Sequence, residues 1–196
     1  MDDSITPSDE SGTPSLDEMM QHLEEAKARE RSSSSQSRSQ WTGLQRKMRK
    51  HRNVAILAKN YAERLDELVK YDATTHRSGS SLKSAAAAVD AHGQLPIYYR
   101  TGDTVTHVGI ITKLLLDPDP DSREAKEFQK YISQEDTYSD YDGNDELDTT
   151  TYIVEQGKEL DEPFPMTELR KVGNNEPIDP GFWRSPAYVF QRETDF

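Results

Sequence analysis

The chain has 196 residues, contains no cysteine and carries a formal net charge of −12 at pH 7. Its apolar share of 33% is below the roughly 45–50% of globular chains, so part of it is expected to lie outside a packed core. The lack of cysteine excludes disulfides and thiolate metal sites, which fits the cytoplasmic location that we expect. Because no run of about 18 apolar residues and no basic-then-apolar leader is present, we expect no membrane span and no secretory signal.

The charge is unevenly distributed along the chain. Residues 31–62 contain eight Lys or Arg and no acid, whereas residues 117–162 contain sixteen Asp or Glu against four Lys or Arg, a local charge of −12. The acidity argues against nucleic acid wrapped around the whole protein, while the basic segment leaves one local site for phosphate. An acidic surface is equally typical of halophilic adaptation, in which case it carries no information about partners.

The N-terminal quarter is predicted to lie outside the main domain. Residues 1–40 read as a disordered, partly helical acidic tail that ends in a serine-rich linker. A capping box, Ser15-Leu-Asp-Glu18, opens its short helix. Residues 41–52 form a basic arm whose apolar residues recur at helical spacing. Such an arm can contact nucleic acid or an acidic surface, or it can be a solvated segment beside the domain.

Residues 53–196 are predicted to be one domain organised around a β-hairpin. Two β-branched and aromatic runs, 97–100 and 105–116, are joined by Thr101-Gly102-Asp103, and a Gly-Asp pair in this position is typical of a hairpin turn. The other predicted elements are a strand at 53–58, a helix from Asn60 to about Tyr71, a loop at 72–81, a helical turn or two at 82–91, an acidic insertion at about 117–148 with a short helix at 122–132, a strand at 149–155, an extended segment at 160–169 that then turns, and a strand at 187–191.

Sequence motifs for catalysis are weak in this chain. The five histidines share no metal-ligand spacing, and neither hydrolase nor phosphate-loop motifs occur. Asp119 or Asp121 precedes Glu124-Ala-Lys126, and two carboxylates with a lysine suit Mg²⁺-assisted phosphodiester cleavage. In a segment this acidic the match arises by chance, so a nucleic-acid-processing enzyme is only a third hypothesis. We expect no catalytic residue, cofactor or metal.

A combination of aromatic and basic residues is the stronger signal. Aromatic faces stack on bases, and an asparagine can hydrogen-bond a base edge. For any single tyrosine of the set, a place in the ordinary barrel core is the favoured interpretation. The set comprises Tyr98, Tyr99 and Arg100 on the first hairpin strand, Trp183 and Arg184 before the last strand, and Lys59, Asn60 and Tyr61 at the first strand–helix junction.

The order of these elements resembles the PUA-like superfamily, especially its EVE and ASCH types. The matching segments are "NVAILAKNYAERLDEL", "IYYRTGDTVTHVGIITKLLLDP", "TTYIVE…ELDEPFPMTELRK" and "FWRSPAYVF". The resemblance implies a five- or six-stranded barrel with a cleft that accepts a nucleobase, often a modified one, in RNA or DNA. We expect the chain to depart from the family in its long acidic insertion and in having no attached catalytic domain.

We therefore predict an α+β, mainly β fold: a small PUA-like β-barrel with flanking helices, which binds RNA or modified DNA without catalysis. Tyr98 or Tyr99 and Trp183 are expected to stack on the base. Asn60 is expected to hydrogen-bond its edge. The residues expected to contact phosphate are Lys59, Arg184, Arg46, Lys47, Arg49, Lys50 and Arg52. The alternative is an acidic protein-interaction module that meets a basic partner or mimics nucleic acid.

Overall fold

The computed structural model describes residues 41–129, 131, 147–182 and 186–192. The predicted tail at 1–40, residues 132–146 of the acidic insertion, and the segment 183–185 lie outside the described residues. By its internal contacts the chain divides into Met1–Trp41 and Thr42–Phe196, and the second unit contains the fold.

The described fold is α+β. Its helices are α1 (Gly43–Lys50), α2 (Ala62–Tyr71), α3 (Lys83–His92) and α4 (Arg123–Gln129), with a 3-10 turn at Met166–Glu168. Its strands are β1 (Val54–Lys59), β2 (Ala73–Ser78), β3 (Leu95–Thr101), β4 (Thr104–Leu116), β5 (Thr150–Pro165) and β6 (Ala187–Phe190).

The six strands form one mixed sheet in the order β2-β5-β4-β3-β1-β6. β1 and β3 are parallel, and all other pairs are antiparallel. The predicted closed barrel is wrong, because no described ladder joins the edge strands β2 and β6. The segment after the 3-10 turn lies beside β6, where Lys171 forms a single bridge with Val189. No described bridge joins this segment to β2. The ring of strands therefore stays open.

The open sheet is nevertheless strongly curved. β5 and β4 lie between β2 and β3, a separation of roughly 14 Å in a flat sheet. The ring centroids of His76 on β2 and Tyr99 on β3 are only 5.3 Å apart. Three register shifts between β4 and β5 account for the bend, because a bulge bends a strand and increases its twist. Curvature thus brings β2 within side-chain reach of β3 across the concave face.

Each face of the sheet carries an apolar core. The concave face packs against α1, α2 and α3 through residues such as Met48, Leu68 and Tyr99. The opposite face packs against the segment after β5 and includes Tyr98 and Phe164. Tyr98 and Tyr99 lie in different cores because successive side chains of a strand point to opposite faces.

The predicted hairpin is confirmed as β3 and β4, which pair antiparallel. Gly102 in its turn has φ +61°, a left-handed conformation that glycine adopts without steric strain. The predicted end of α3 at Gly93 is also confirmed: Gly93 has φ +78° and its N–H donates to the Val89 carbonyl.

The loop predicted at 72–81 is wrong, because it contains β2. β2 pairs with β5 along its whole length. Its sequence, Ala-Thr-Thr-His-Arg-Ser, is polar, yet Thr74, Thr75 and His76 are buried. Hydrogen bonds offset part of this burial: the Thr75 hydroxyl donates to the Phe128 carbonyl at 2.7 Å, and His76 bonds to Asn60. Polar composition is typical of a loop, but here the polar side chains of a strand are buried on both of its faces.

Two further elements differ in extent from their predictions. β5 continues ten residues beyond the predicted end at Glu155 to Pro165, because its polar second half still pairs with β4. The helix predicted at 122–132 is α4, with Ala125 and Phe128 buried as expected. Ile132, predicted to be a third inward residue, lies outside the described residues.

The basic arm contains a capped helix that is part of the main unit. The Thr42 hydroxyl accepts from the Gln45 N–H at 3.2 Å, and the Gln45 side chain accepts from the Thr42 N–H at 2.8 Å. This capping box starts α1. Met48 is fully buried in the concave core, so α1 is packed on the sheet and is not a solvated arm.

Gly157 in β5 allows α2 to approach the sheet closely. A Cβ built on Gly157 would lie 2.1 Å from the Leu68 Cγ atom. One on Gly109 in β4 would make only an ordinary contact of 3.6 Å with a Leu68 methyl, but would lie 2.6 Å from the Val154 side chain of β5. Leu68 is fully buried. The Leu68 side chain of α2 therefore fills the space that Gly157 leaves, and this contact fixes the height of the helix above the strands.

We expect Gly157→Ala to destabilise the fold by about 1–3 kcal/mol, the usual effect of inserting a methyl group into a packed contact. Urea unfolding measures the change, with Gly173→Ala as control because nothing lies within 4 Å of a Cβ at that position. Adding Leu68→Ala should recover part of the loss in a double-mutant cycle. Equal stability of the two glycine variants would contradict this packing.

Candidate nucleobase-binding site

Tyr98 and Tyr99, predicted to stack on a base, are both fully buried. The Tyr98 ring packs edge-on against Phe164, with centroids 5.9 Å apart, and its hydroxyl accepts from the Arg192 N–H at 3.0 Å. Tyr99 faces the concave core beside His76. In this conformation neither ring face is open to a base.

The predicted aromatic–basic pair Trp183 and Arg184 lies outside the described residues, so their roles stay predictions. Arg100, the basic residue next to Tyr99, is buried and donates to the carbonyls of Gly102 and Phe182. Its guanidinium lies 3.8 Å from the Asp103 carboxylate. Arg100 therefore ties the hairpin turn to the chain before the last strand.

The structure divides the basic residues of the arm into two groups. Lys47 donates to the carbonyls of Val172 and Gly173, and Arg49 pairs with the Asp90 carboxylate. These two hold α1 against the rest of the fold. The other three, Arg46, Lys50 and Arg52, are exposed.

Lys59, Asn60 and Tyr61, which we call the β1–α2 junction, combine exposed and anchored side chains. Lys59 is exposed, Asn60 is partly buried, and Tyr61 is 55% exposed. β1 and β3 are parallel, and Lys59 lies opposite Arg100. The C-terminal ends of the two strands are therefore adjacent, and the junction lies at the same end of the sheet as the hairpin turn. The Tyr61 carbonyl accepts from the N–H groups of the first turn of α2, which fixes the backbone here.

Two hydrogen bonds orient the Asn60 side chain. Its Oδ1 accepts from the Tyr61 N–H at 2.9 Å, and its Nδ2 lies 3.2 Å from His76 Nδ1. An amide nitrogen only donates, so Nδ1 accepts and the single proton of the neutral ring is on Nε2. The Tyr99 hydroxyl also contacts Nδ1, which is consistent with a second donor to the same lone pair.

Behind Asn60 is a buried polar network formed by His76, Tyr99 and Tyr152. The two tyrosine hydroxyls are hydrogen-bonded, and burial raises the pKa of both. Burial, and then the nearby Arg64 guanidinium, lowers the pKa of His76 to about 3. All three side chains are therefore neutral at physiological pH. Arg64 itself forms a buried ion pair with Glu67 at 2.6 Å.

Asn60 is predictable from the sequence as a site residue, but its partner His76 is not. His76 lay in the segment predicted to be a loop, 16 residues away along the chain. The adjacent threonines, which favour a strand, are the one local signal that could have placed it on β2. Its contact with Asn60 depends on the curvature of the whole sheet.

The third hypothesis, a nuclease-like metal site, finds no geometric support in the described ranges. They contain no group of three or more His, Cys, Asp or Glu side chains arranged to hold a metal ion. Asp119, Asp121 and Glu124 are exposed around the start of α4.

Within the described residues, no helix has the length and apolar character needed to cross a membrane.

No family model matches the chain, and no curated protein matches it. Among solved structures, it is similar to the N-terminal domain of McrB from Staphylothermus marinus, at 12% sequence identity and a TM-score of 0.36. The match covers 58% of this chain and 77% of that one. A TM-score of this size does not establish a shared fold, so membership of the PUA-like superfamily stays a prediction.

The burial of His76 predicts a pH dependence of stability. Its pKa is about 3 in the folded chain against 6.5 in an unfolded one, so between these values the unfolded state binds more protons. Stability is therefore fully present above pH 6.5 and falls by several kcal/mol as the pH drops towards 3. Urea unfolding between pH 7 and pH 4 measures this slope.

In the His76→Leu variant the slope should be much shallower. His107→Asn is the control, because His107 is only partly buried and burial lowers its pKa in the same direction. Removing His107 should therefore change the slope less. An unchanged slope in His76→Leu would contradict the assignment.

Proposed function

We propose that the chain is a nucleic-acid-binding module that holds one unpaired base at the β1–α2 junction. The observation that carries the proposal is the Asn60 amide, which is partly exposed and oriented by two internal hydrogen bonds. An aromatic and a basic residue, Tyr61 and Lys59, flank it along the chain, and both residues are exposed.

The chemistry of the junction suits a base. Asn60 uses one of its two N–H groups and one of its two lone pairs internally, which leaves one donor and one acceptor. Every base offers an adjacent donor and acceptor on an edge. Tyr61 takes the stacking role that the sequence suggested for Tyr98 or Tyr99, since those rings are buried. Stacking of a base on an aromatic ring contributes about 1–3 kcal/mol.

Phosphate contacts are assigned to exposed basic side chains on α1, directly after α1, and at the junction itself. Arg46 and Lys50 are four residues apart on α1 and so share a helix face, and Arg52 follows directly after the helix. Lys59 supplies a further charge at the junction. In a chain with a net charge of −12 these contacts make binding local and dependent on salt. Trp183 and Arg184 are further candidates for the stacking and phosphate roles.

Fluorescence anisotropy with labelled single-stranded DNA and RNA at low salt tests the proposal. We expect binding that weakens as salt is raised and that Tyr61→Ala weakens by about fivefold to a hundredfold, since one stacking contact is lost. Tyr71→Ala is the matched control, because Tyr71 is also an exposed tyrosine of this region but lies at the other end of α2. Double-stranded competitors of each polymer show whether an unpaired base is needed.

The proposal is refuted if the chain binds neither single-stranded DNA nor single-stranded RNA at low salt. Equal losses of affinity in Tyr61→Ala and Tyr71→Ala would refute the position of the site.

The second candidate function, an acidic protein-interaction module, is favoured by the exposed acids Glu159, Asp161 and Glu162 on β5. Binding of a polylysine peptide without binding of nucleic acid would support it.

A further inference from the structure

We propose that His76 is a positioning residue that fixes which end of the Asn60 amide donates and which end accepts, so that the junction distinguishes amino-type from keto-type base edges. The inference rests on the nucleic-acid binding proposed above. It assigns a buried side chain, which cannot touch the base, a role in selecting it.

A lone asparagine amide does not discriminate between the two orders of donor and acceptor. Rotation by 180° exchanges its oxygen and nitrogen, which have nearly the same size and shape. Asn60 is different, because the Tyr61 N–H requires an oxygen on one side and His76 Nδ1 requires an N–H on the other. The rotated amide would set two donors against each other and two acceptors against each other.

His76 is held so that its acceptor persists. The ring packs edge-on against Tyr99 and Tyr152, with centroid distances of 5.3 and 5.9 Å. It is 3% exposed, on the concave face of β2. Burial and the Arg64 guanidinium lower its pKa to about 3, so the ring stays neutral and Nδ1 keeps its lone pair. The orientation of Asn60 is therefore the same at any physiological pH.

A fixed amide gives two complementary hydrogen bonds to only one class of base edge. Adenine and cytosine present a ring-nitrogen acceptor beside an amino donor. Guanine, hypoxanthine and uracil present a ring N–H beside a carbonyl, which is the reverse order. Stacking on Tyr61 and the phosphate contacts fix which way the base faces, so turning the base over does not restore the match. Bidentate asparagine contacts of this kind discriminate between bases elsewhere.

Oligonucleotides with one variable central position test the inference on the full chain. Adenine is compared with hypoxanthine and cytosine with uracil, because each pair exchanges an amino for a keto group on the same ring. DNA and RNA versions are both titrated. We expect the natural chain to prefer one member of at least one pair by about fivefold or more. Asn60→Ala should abolish the preference.

The variants of His76 separate positioning from a merely structural role. His76→Phe keeps a packed ring but offers no acceptor, which leaves only the Tyr61 N–H to orient the Asn60 amide. The ratio of the two affinities within a base pair should therefore fall, while salt-dependent binding remains. His76→Gln can accept through Oε1 and should retain part of the preference. His76→Met replaces the Phe variant if the latter does not fold, as judged by circular dichroism.

Each outcome has a defined meaning. If the natural chain binds neither polymer, the proposed function fails and this inference fails with it. If it binds, and Tyr61→Ala weakens binding, but neither pair is discriminated, only the inference is overturned. An undiminished preference in folded His76→Phe or His76→Met also overturns it, whereas loss there with retention in His76→Gln supports it.

Discussion

The hydrogen bond between Asn60 Nδ2 and His76 Nδ1, 3.2 Å long, is the contact on which the candidate site depends. It joins the end of β1 to the edge strand β2, which are four places apart in the order of the sheet. Only a strongly curved sheet brings these positions together. The curvature, the burial of His76 and the bond from Asn60 to His76 are therefore one structural feature, and a flat sheet with the same strand order would leave the Tyr61 N–H as the one described partner of the Asn60 amide.

The same region carries buried polar atoms without partners. His76 Nε2 and Thr74 Oγ1, both on β2, are buried and have no hydrogen-bond partner within the described part of the chain. Such a group typically reduces stability by about 1–3 kcal/mol. Polar burial of this kind is expected where a side chain serves a site and not only the packing. The apolar contacts of α1, α2 and α3 with the concave face supply the stability that offsets it.

The sequence predicts the local features of this fold better than its closure. The β3–β4 hairpin and the end of α3 follow from Gly102 and Gly93, whose backbone conformations favour glycine. β2 was missed because its polar residues face inward, a property set by contacts with distant segments. Either Tyr98 or Tyr99 is expected to stack on a base, but both faces of β3 are covered, so alternation along the strand exposes neither ring. Lys59, Asn60 and Tyr61 were recognisable as a cluster, whereas His76 was not, since it meets Asn60 only through the curved sheet.

The protonation of the His76 ring is the most direct measure of this account. Long-range ¹H–¹⁵N correlation spectra of the ¹⁵N-labelled chain at pH 7 distinguish the two ring nitrogens. We expect one neutral tautomer, with the proton on Nε2 and an unprotonated Nδ1 that accepts from Asn60. A proton on Nδ1, or a charged ring, would leave the Asn60 amide without its acceptor and would contradict it.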